Sequence, residues 1–316
     1  MTTTSRGEWF YRCGQLARDG WEAVVDSTID RWSYTGLRVA ELATGRQVEL
    51  SAGQLERIIV PLCGSFSVHY RADAEQGEVE QILAGRQSVF HGPTDVLYLP
   101  IGASAQITGL SETGRVAVAE APASNAHPVC YIPAAKVPLE LRGAGRSSRQ
   151  VHNFGTPQSL SADRMIVCEV ITPAENWSSY PPHKHDESIE GAESSLEEIY
   201  YFETAVTRGA TAPASAAPFG YLQNYASGAG EIDTLAEVRT GDIALVPFGW
   251  HGPCVAAPGY DLYYLNVMAG PDAERSWLIT DDPAHAWIRE TWNGQQVDPR
   301  LPYTADSVTE TSTGTP

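Results

Sequence analysis

Residues 180–186 read YPPHKHD, a stretch with two histidines, His183 and His185, one residue apart. In an extended strand alternate side chains lie on one face, so both imidazoles would point the same way. On a helix, residues two apart would diverge. The two prolines before His183 favour an extended backbone leading into it. The stretch therefore predicts a strand that presents a pair of imidazoles to a common site.

A carboxylate and a third histidine complete this candidate site. Residues 196–202 read LEEIYYF, and strand alternation favours Glu198 over Glu197 as the side chain that faces the site. A register slip of one residue would exchange the two faces. His251 follows a Pro-x-Gly turn further along the chain. Three imidazoles and one carboxylate from neighbouring strands are typical of a divalent transition-metal site.

The predicted ligand set restricts the metal but does not identify it. Four protein ligands in an octahedral shell leave two positions for water or substrate. Nitrogen-rich ligation favours Zn, Mn, Fe or Ni over Ca and Mg, which prefer shells made of oxygen. The pattern predicts metal-assisted chemistry on an oxygen-rich small molecule.

Composition excludes several other classes of function. The chain has 316 residues, a net charge of -18 and a pI of about 4.8, which argue against binding to nucleic acid or to an anionic membrane surface. No apolar run is long enough to span a bilayer, and the first residues lack the apolar core of a secretory signal. Five cysteines without a CxxC pair indicate a cytoplasmic protein. Cys254, three residues after His251, is expected to be a core residue.

The spacing of turn residues predicts an all-β fold. Short runs rich in Val, Ile, Leu and Tyr alternate with Gly and Pro, which favours sandwiches or barrels with few helices. The clearest helical pattern covers residues 282–292. Residues 95–102 and 242–249 repeat an acidic turn, mostly apolar residues and Pro-x-Gly. This repeat indicates a duplicated barrel whose first copy has Ser104 where the second has His251.

We therefore expect three regions. Residues 1–138 would form a degenerate N-terminal domain without a metal site, and residues 139–303 a C-terminal metal-binding domain. The polar residues 304–316 would be a disordered tail.

The candidate site and its surroundings resemble the cupin superfamily, whose small β-barrels carry a His-x-His, Glu and His metal site. Residues 169–186, 196–202 and 256–270 more specifically resemble the 5-deoxy-glucuronate isomerases of myo-inositol catabolism. The resemblance implies a bicupin, two jelly-roll barrels, that interconverts 5-deoxy-D-glucuronate and 5-dehydro-2-deoxy-D-gluconate. It also implies that His183, His185, Glu198 and His251 bind the metal. Residues 248–253 depart from the family pattern, in which tyrosine precedes the histidine and proline directly follows it.

An aldose-ketose isomerase needs a base within reach of the substrate. The candidates are Glu197, Asp186 and a metal-bound hydroxide, with Tyr200 or Tyr263 as a proton relay. The carboxylate of a deoxy-uronic acid substrate needs a cation, for which the chain offers Arg149, Arg239 and Lys184. Alternation turns Lys184 away from the histidines on either side of it.

Two other functions remain open at this level. An Fe-dependent cupin dioxygenase would use the same ligands and would consume oxygen. A non-catalytic sugar-acid-binding cupin would bind without turnover. Exposed barrel edges can also pair, so a homo-oligomer stays open.

Overall fold

The computed structural model describes residues 8–73 and 77–305. Most of the tail predicted at residues 304–316 therefore lies outside the described residues. The strands are, in chain order, β1 (Phe10–Tyr11), β2 (Ala23–Val25), β3 (Gly36–Glu41), β4 (Gln47–Leu50), β5 (Leu55–Arg71), β6 (Val79–Arg86), β7 (Val96–Leu99), β8 (Ser104–Gly109), β9 (Arg115–Pro122), β10 (Cys130–Ile132), β11 (Leu139–Arg142), β12 (Arg149–Gly155), β13 (Ile166–Thr172), β14 (Trp177–Ser178), β15 (His183–Lys184), β16 (Glu197–Val206), β17 (Gly220–Ser227), β18 (Gly230–Val238), β19 (Ile243–Val246), β20 (Cys254–Ala256), β21 (Tyr260–Ala269) and β22 (Thr280–Asp281).

The described helices are short 3-10 helices, at Val89–His91, Ala134–Lys136, Gly145–Ser147 and Ala286–Trp292. The last of these lies within the helix predicted over residues 282–292, but it begins later and is 3-10 rather than α. In the described residues no helix combines the length and the apolar character needed to cross a membrane. The all-β prediction with few helices is confirmed.

Antiparallel pairing separates the strands into two halves. A nine-stranded sheet contains β2 to β10, with the central order β10-β7-β5-β9-β3-β2. The second half holds a seven-stranded sheet, β1-β19-β16-β21-β13-β12-β11, and a four-stranded sheet, β14-β20-β17-β18. β10 and β11 lie on either side of the boundary expected after residue 138. β1 is the exception, because this N-terminal strand pairs with β19 of the second half.

The central strands of the seven-stranded sheet are buried on both faces, and this decides where the site lies. Every residue of β13 is buried. Cys168 and Val170 point into the barrel of the second half, where Tyr200 and Tyr264 also pack. Val167 and the other side chains on the opposite face pack against the first half. The sheet thus separates a barrel interior from an inter-half core.

The internal repeat corresponds to matching strands in the two halves. β7 follows Asp95 and β19 follows Asp242, and both carboxylates are buried. Asp95 accepts hydrogen bonds from the backbone N–H groups of Ala84 and Gly85, and Asp242 from those of Cys13 and Arg239. A buried carboxylate therefore anchors backbone at the start of the repeated strand in both copies.

Candidate metal centre

His183 and His251 face each other as a cross-strand pair. The backbone N–H of His183 donates to the carbonyl of His251 at 3.0 Å, and the reverse bond measures 2.8 Å. β15 also pairs with β22, so the His183 strand is held on both sides. The imidazole centroids lie 4.8 Å apart. This pair of backbone hydrogen bonds fixes the separation of the two rings through the main chain.

His185 and Glu198 close the group from a second direction. His185 lies one residue beyond β15, and its carbonyl accepts a hydrogen bond from Leu196 N–H just before β16 begins. Its Nε2 atom lies 3.0 Å from Nε2 of His251 and 3.1 Å from Oε2 of Glu198. Nε2 of His251 is likewise 3.1 Å from that oxygen. The structure thus brings together the four side chains that were predicted as ligands.

Backbone carbonyls orient all three imidazoles. Nδ1 of His251 lies 2.7 Å from the carbonyl of Gly249, and Nδ1 of His185 lies 3.1 Å from that of Leu196. Nδ1 of His183 faces the carbonyl of Pro181 at 3.3 Å. A carbonyl only accepts, so each Nδ1 carries a proton, and each ring, when neutral, has its lone pair on Nε2.

This tautomer assignment provides a test of whether a cation fits. Lone pairs on Nε2 of His185 and His251 point at one another and at the Glu198 carboxylate, and all three groups are buried. Converging lone pairs repel each other unless a positive charge lies between them. The ligand atoms of the three histidines lie within 4.8 Å of one another. The donor set therefore suits a divalent transition metal with carbonyls supporting its imidazole ligands.

The electrostatics favour the ligand forms of His183 and Glu198, whereas at His185 burial would lower the pKa but the hydrogen bond to Glu198 outweighs it and raises the pKa above its ordinary value. Burial, together with the neighbouring His251 and His185, holds the pKa of His183 well below its ordinary value, so its ring stays neutral. Burial would raise the pKa of Glu198, but the imidazoles of His185 and His251 outweigh this and lower it to about 2. A neutral imidazole and an ionised carboxylate are the forms that bind metal.

Two glycines shape the loop that carries His251. Gly249 has φ +101° and Gly252 has φ +108°, values that side chains other than glycine rarely adopt. A Cβ on Gly252 would lie 2.4 Å from the Ser179 carbonyl oxygen and 2.7 Å from Cε1 of His183. Gly252 occupies the position where the family pattern has proline, whose ring fixes φ near −65°. A proline could not hold the φ of Gly252, which lies directly beside a ligand.

A cavity opens beside the histidines. His183 and Glu198 belong to its lining, and Val151, Val170 and Trp277 contribute apolar wall. Its polar lining consists of Arg142, Arg149, Arg289, Ser179, Tyr180, Tyr264 and Asn266. Glu198 is the only carboxylate that lines this cavity within the described part of the chain.

The structure places the predicted catalytic carboxylates outside this cavity. Asp186 accepts hydrogen bonds from Lys184 Nζ at 2.7 Å, Ser227 Oγ at 2.5 Å and Gly249 N–H at 2.9 Å. Burial would raise the pKa of Asp186, but these bonds outweigh burial and lower it. Asp186 thus ties the Gly249 turn to the His-x-His segment. Its lowered pKa and its full set of partners make it a poor base.

Glu197 lies on the face of β16 opposite to Glu198. Its carboxylate accepts hydrogen bonds from the backbone N–H groups of Ser33, Tyr34 and Thr35, at 2.7 to 3.3 Å. This side chain fastens a loop of the first half to the strand that carries Glu198, and the structure does not bring it to the cavity.

The tyrosines divide between the two faces of the same sheet. Tyr200 shares the face of Glu198, and its hydroxyl lies 3.3 Å from Oγ of Ser179, which lines the cavity. Burial, with the nearby Glu198, raises the pKa of Tyr200 well above its ordinary value. Tyr263 donates to Glu169 on the inter-half face instead. Its neighbour Tyr264 lines the cavity, and strand alternation could have identified it once the register was known.

Of the three candidate cations for the substrate carboxylate, one lies at the cavity and two do not. Arg149 lines the cavity. Lys184 points away from the histidines, as predicted, and binds Asp186, Glu187 and Glu193. Arg239 pairs with Glu237 and two backbone carbonyls elsewhere. Sequence reasoning missed Arg142, Arg289 and Asn266, which no local pattern distinguishes from surface residues.

The remaining predicted features near the site have structural roles. Cys254 is fully buried in the barrel interior, and burial raises the pKa of its thiol well above the ordinary value. It is thus a core residue, as expected. In the described residues of the first half, no three potential ligands converge. Ser104 begins β8 there.

Comparisons with solved structures define the class of protein. An IolB-like protein from Salmonella typhimurium LT2 superimposes with a TM-score of 0.77 at 33% identity, covering 89% of this chain and 98% of that one. An oxalate decarboxylase from Lactobacillus farciminis superimposes with a TM-score of 0.60 over 89% of this chain and 90% of that one. At 11% identity this second likeness shows the fold alone. The fold is the predicted all-β bicupin, with the histidine-rich centre in its second half.

The family follows from sequence comparison. The chain belongs to the KduI/IolB family, whose description matches residues 9–288. Two curated relatives named 5-deoxy-glucuronate isomerase come from Geobacillus thermodenitrificans and Geobacillus kaustophilus. They are 36% and 38% identical over 261 residues, which cover 82% of this chain and 88% and 87% of theirs. The family predicted from the sequence is thereby confirmed.

Proposed function

We propose that this protein is a metal-dependent aldose-ketose isomerase that interconverts 5-deoxy-D-glucuronate and 5-dehydro-2-deoxy-D-gluconate in myo-inositol catabolism. Family membership and the names of the curated relatives support the isomerase activity. The observation that carries the metal dependence is the convergence of one ring nitrogen from each of the three histidines with the Glu198 carboxylate beside a polar cavity.

His183, His185, Glu198 and His251 would hold the cation, which is Zn, Mn, Fe or Ni. When bound, it would polarise the substrate carbonyl and acidify the neighbouring C–H and O–H groups. The carbonyls of Pro181, Leu196 and Gly249 keep the imidazoles in the ligand tautomer.

We assign proton relay to Tyr200 through Ser179. The Tyr200 hydroxyl stays protonated because burial raises its pKa, and it reaches Ser179 at 3.3 Å. Ser179 has φ +51°, a conformation uncommon for a side chain other than glycine, and it lines the cavity. Ser179 can therefore give its proton to one sugar oxygen while it receives the Tyr200 proton, and the same pair takes back the proton that the neighbouring sugar oxygen loses in the isomerisation, so both hydroxyls end protonated. The change Tyr200→Phe would lower kcat and leave metal content unchanged.

The organisation of the chain fits this function. We propose that residues 139–303 form the metal-binding domain and residues 1–138 a supporting cupin without metal. Five free cysteines suit a reducing cytoplasm. The net charge of -18 suits a small-molecule substrate better than nucleic acid or an anionic membrane.

The test combines elemental analysis with an isomerisation assay under nitrogen. Wild-type protein should contain one divalent metal per chain and isomerise 5-deoxy-D-glucuronate without oxygen. The variant His183→Ala should lose metal and activity together, whereas His69→Ala, at a half-buried histidine of the first half, should keep both. Full activity after metal removal would refute the mechanism, and a requirement for oxygen would indicate a dioxygenase.

A further inference from the structure

Three arginines line the cavity beside the metal centre, and two of them have carboxylate partners. Nε of Arg142 lies 2.9 Å from Oε2 of Glu140. Arg289 makes two contacts with the Asp281 carboxylate, one of them 2.6 Å between Nη2 and Oδ1. These two guanidinium groups are therefore already neutralised by side chains of the protein itself.

Arg149 differs from both. Only 8% of the residue is exposed, and Nη1 donates one hydrogen bond, to the Ser147 carbonyl at 3.1 Å. The guanidinium carbon lies 5.8 Å from the centroid of the Trp292 ring. Across residues 8–73 and 77–305, no carboxylate forms an ion pair with it. A buried guanidinium without an anion is energetically unfavourable.

Neighbouring positive charges make the unpaired charge of Arg149 still less favourable. Burial is the main cause that lowers the pKa of Arg149 to about 10, and the nearby positive charges of Arg142 and Arg289 act in the same direction. The group is still charged at neutral pH. An anion that entered the cavity would relieve both the missing partner and the repulsion.

The position of Arg149 suits one end of an extended ligand. It opens β12, and Val151, two residues later on the same face, lines the same cavity. His183 and Glu198 belong to other strands that line this cavity too. A sugar acid carries its carbonyl at one end and its carboxylate at the other. Because Arg149 and two residues of the metal centre line one cavity from different strands, the cavity can bring the two ends of such a molecule to different groups.

We infer that Arg149 binds the carboxylate of the substrate by a bidentate guanidinium–carboxylate contact, while Arg142 and Arg289 remain paired with Glu140 and Asp281. This inference rests on the proposed function, because it takes a uronic acid as the substrate. A planar guanidinium offers two parallel N–H donors that match a carboxylate, which an ammonium group does not. Arg149 would thus select a sugar acid over a neutral sugar and orient it toward the histidines.

The test compares a charged and a neutral substrate. We would assay wild type, Arg149→Gln, Arg149→Lys and Arg146→Gln with 5-deoxy-D-glucuronate and with its uncharged carboxamide. Arg146 is the matched control, since it is exposed, pairs with Glu175 and does not line the cavity. Arg149→Gln should lower kcat/KM for the uronate about 10- to 150-fold, the range for a hydrogen bond to a charged group. It should leave the carboxamide almost unchanged, and Arg146→Gln should change neither.

Titration calorimetry of both compounds against the same proteins separates this inference from the proposed function. If the wild type binds the uronate without isomerising it, the proposed function fails, while weaker uronate binding by Arg149→Gln still supports the carboxylate contact. Equal loss for the uronate and the carboxamide would overturn the inference, as would an equal effect of Arg146→Gln. If Arg149→Gln does not fold, Arg149→Lys replaces it, because lysine keeps the charge but loses the bidentate geometry. A loss confined to the uronate would again support the inference, and an equal loss for both compounds would overturn it.

Discussion

The change Gly252→Ala places a methyl group where the structure leaves no room for one. The new Cβ would lie 2.4 Å from the Ser179 carbonyl oxygen and 2.7 Å from Cε1 of His183. Neither neighbour can move easily. The first is a backbone oxygen, and the second belongs to a buried ring whose residue is hydrogen-bonded through its backbone to His251. His183 would have to move away from the other ligands.

The magnitude has two parts. Holding alanine at a positive φ costs about 1–2 kcal/mol, and overpacking a closed site costs a further 1–3 kcal/mol, roughly. The free energy of unfolding should therefore fall by about 2–5 kcal/mol. Displacement of one ligand should also weaken metal binding about 10- to 100-fold, as loss of a ligand's supporting shell does.

Gly259→Ala is the matched control. Gly259 has φ +83°, but no atom lies within 4 Å of a Cβ built there. This variant should lose only the backbone part, about 1–2 kcal/mol, and keep its metal. Urea unfolding and metal titration of both variants measure the two quantities. Wild-type metal affinity in Gly252→Ala would refute the view that this glycine makes room for a ligand.

Three further predictions concern the sheet that separates the site from the first half. Glu197→Gln should reduce the free energy of unfolding by about 1–3 kcal/mol, because it weakens the hydrogen bonds from Ser33, Tyr34 and Thr35. Metal content should stay constant, and a loss of metal would show that Glu197 belongs to the site. Arg86→Met should reduce the free energy of unfolding by about 3–5 kcal/mol, since it leaves Glu169 buried without its bidentate partner. In urea titrations the double variant Arg86→Met/Glu169→Leu should be less destabilised than the single one, and a less stable double variant would contradict this. Burial raises the pKa of Glu203 despite the nearby Arg115, so its contribution to stability is fully present below the ordinary pKa near 4.5 and is lost as pH rises through the raised value. The unfolding free energy of wild type should therefore fall relative to Glu203→Gln as pH rises above about 4.5, and parallel pH profiles would contradict the assignment.

Local patterns sufficed for the features that depend on strand alternation. The His-x-His spacing, the face of Glu198 and the outward direction of Lys184 follow from the period of two in a strand. The internal repeat led to the two barrels, because Asp95 and Asp242 anchor matching strands. These inferences need only patterns within the sequence and no knowledge of which distant residues come into contact.

The features that sequence reasoning missed depend on register and on distant contacts. Of the two relay candidates, Tyr200 and Tyr263, the second faces away from the cavity that Tyr264 lines, and nothing local determines which of two adjacent tyrosines faces it. Pairing of β1 with β19 joins residues more than two hundred positions apart. The groups that orient the imidazoles are backbone carbonyls, which every residue has. That Arg149 lacks an ion-pair partner within the described residues is visible only when the rest of the fold surrounds it.

The most direct test of the metal centre is an anomalous-scattering map from crystals of active, metal-replete protein. The proposal predicts one strong peak in the second half, about 2.0–2.2 Å from the Nε2 atoms of His183, His185 and His251 and from a carboxylate oxygen of Glu198. Active crystals in which that position is empty, or in which the metal lies elsewhere, would contradict it.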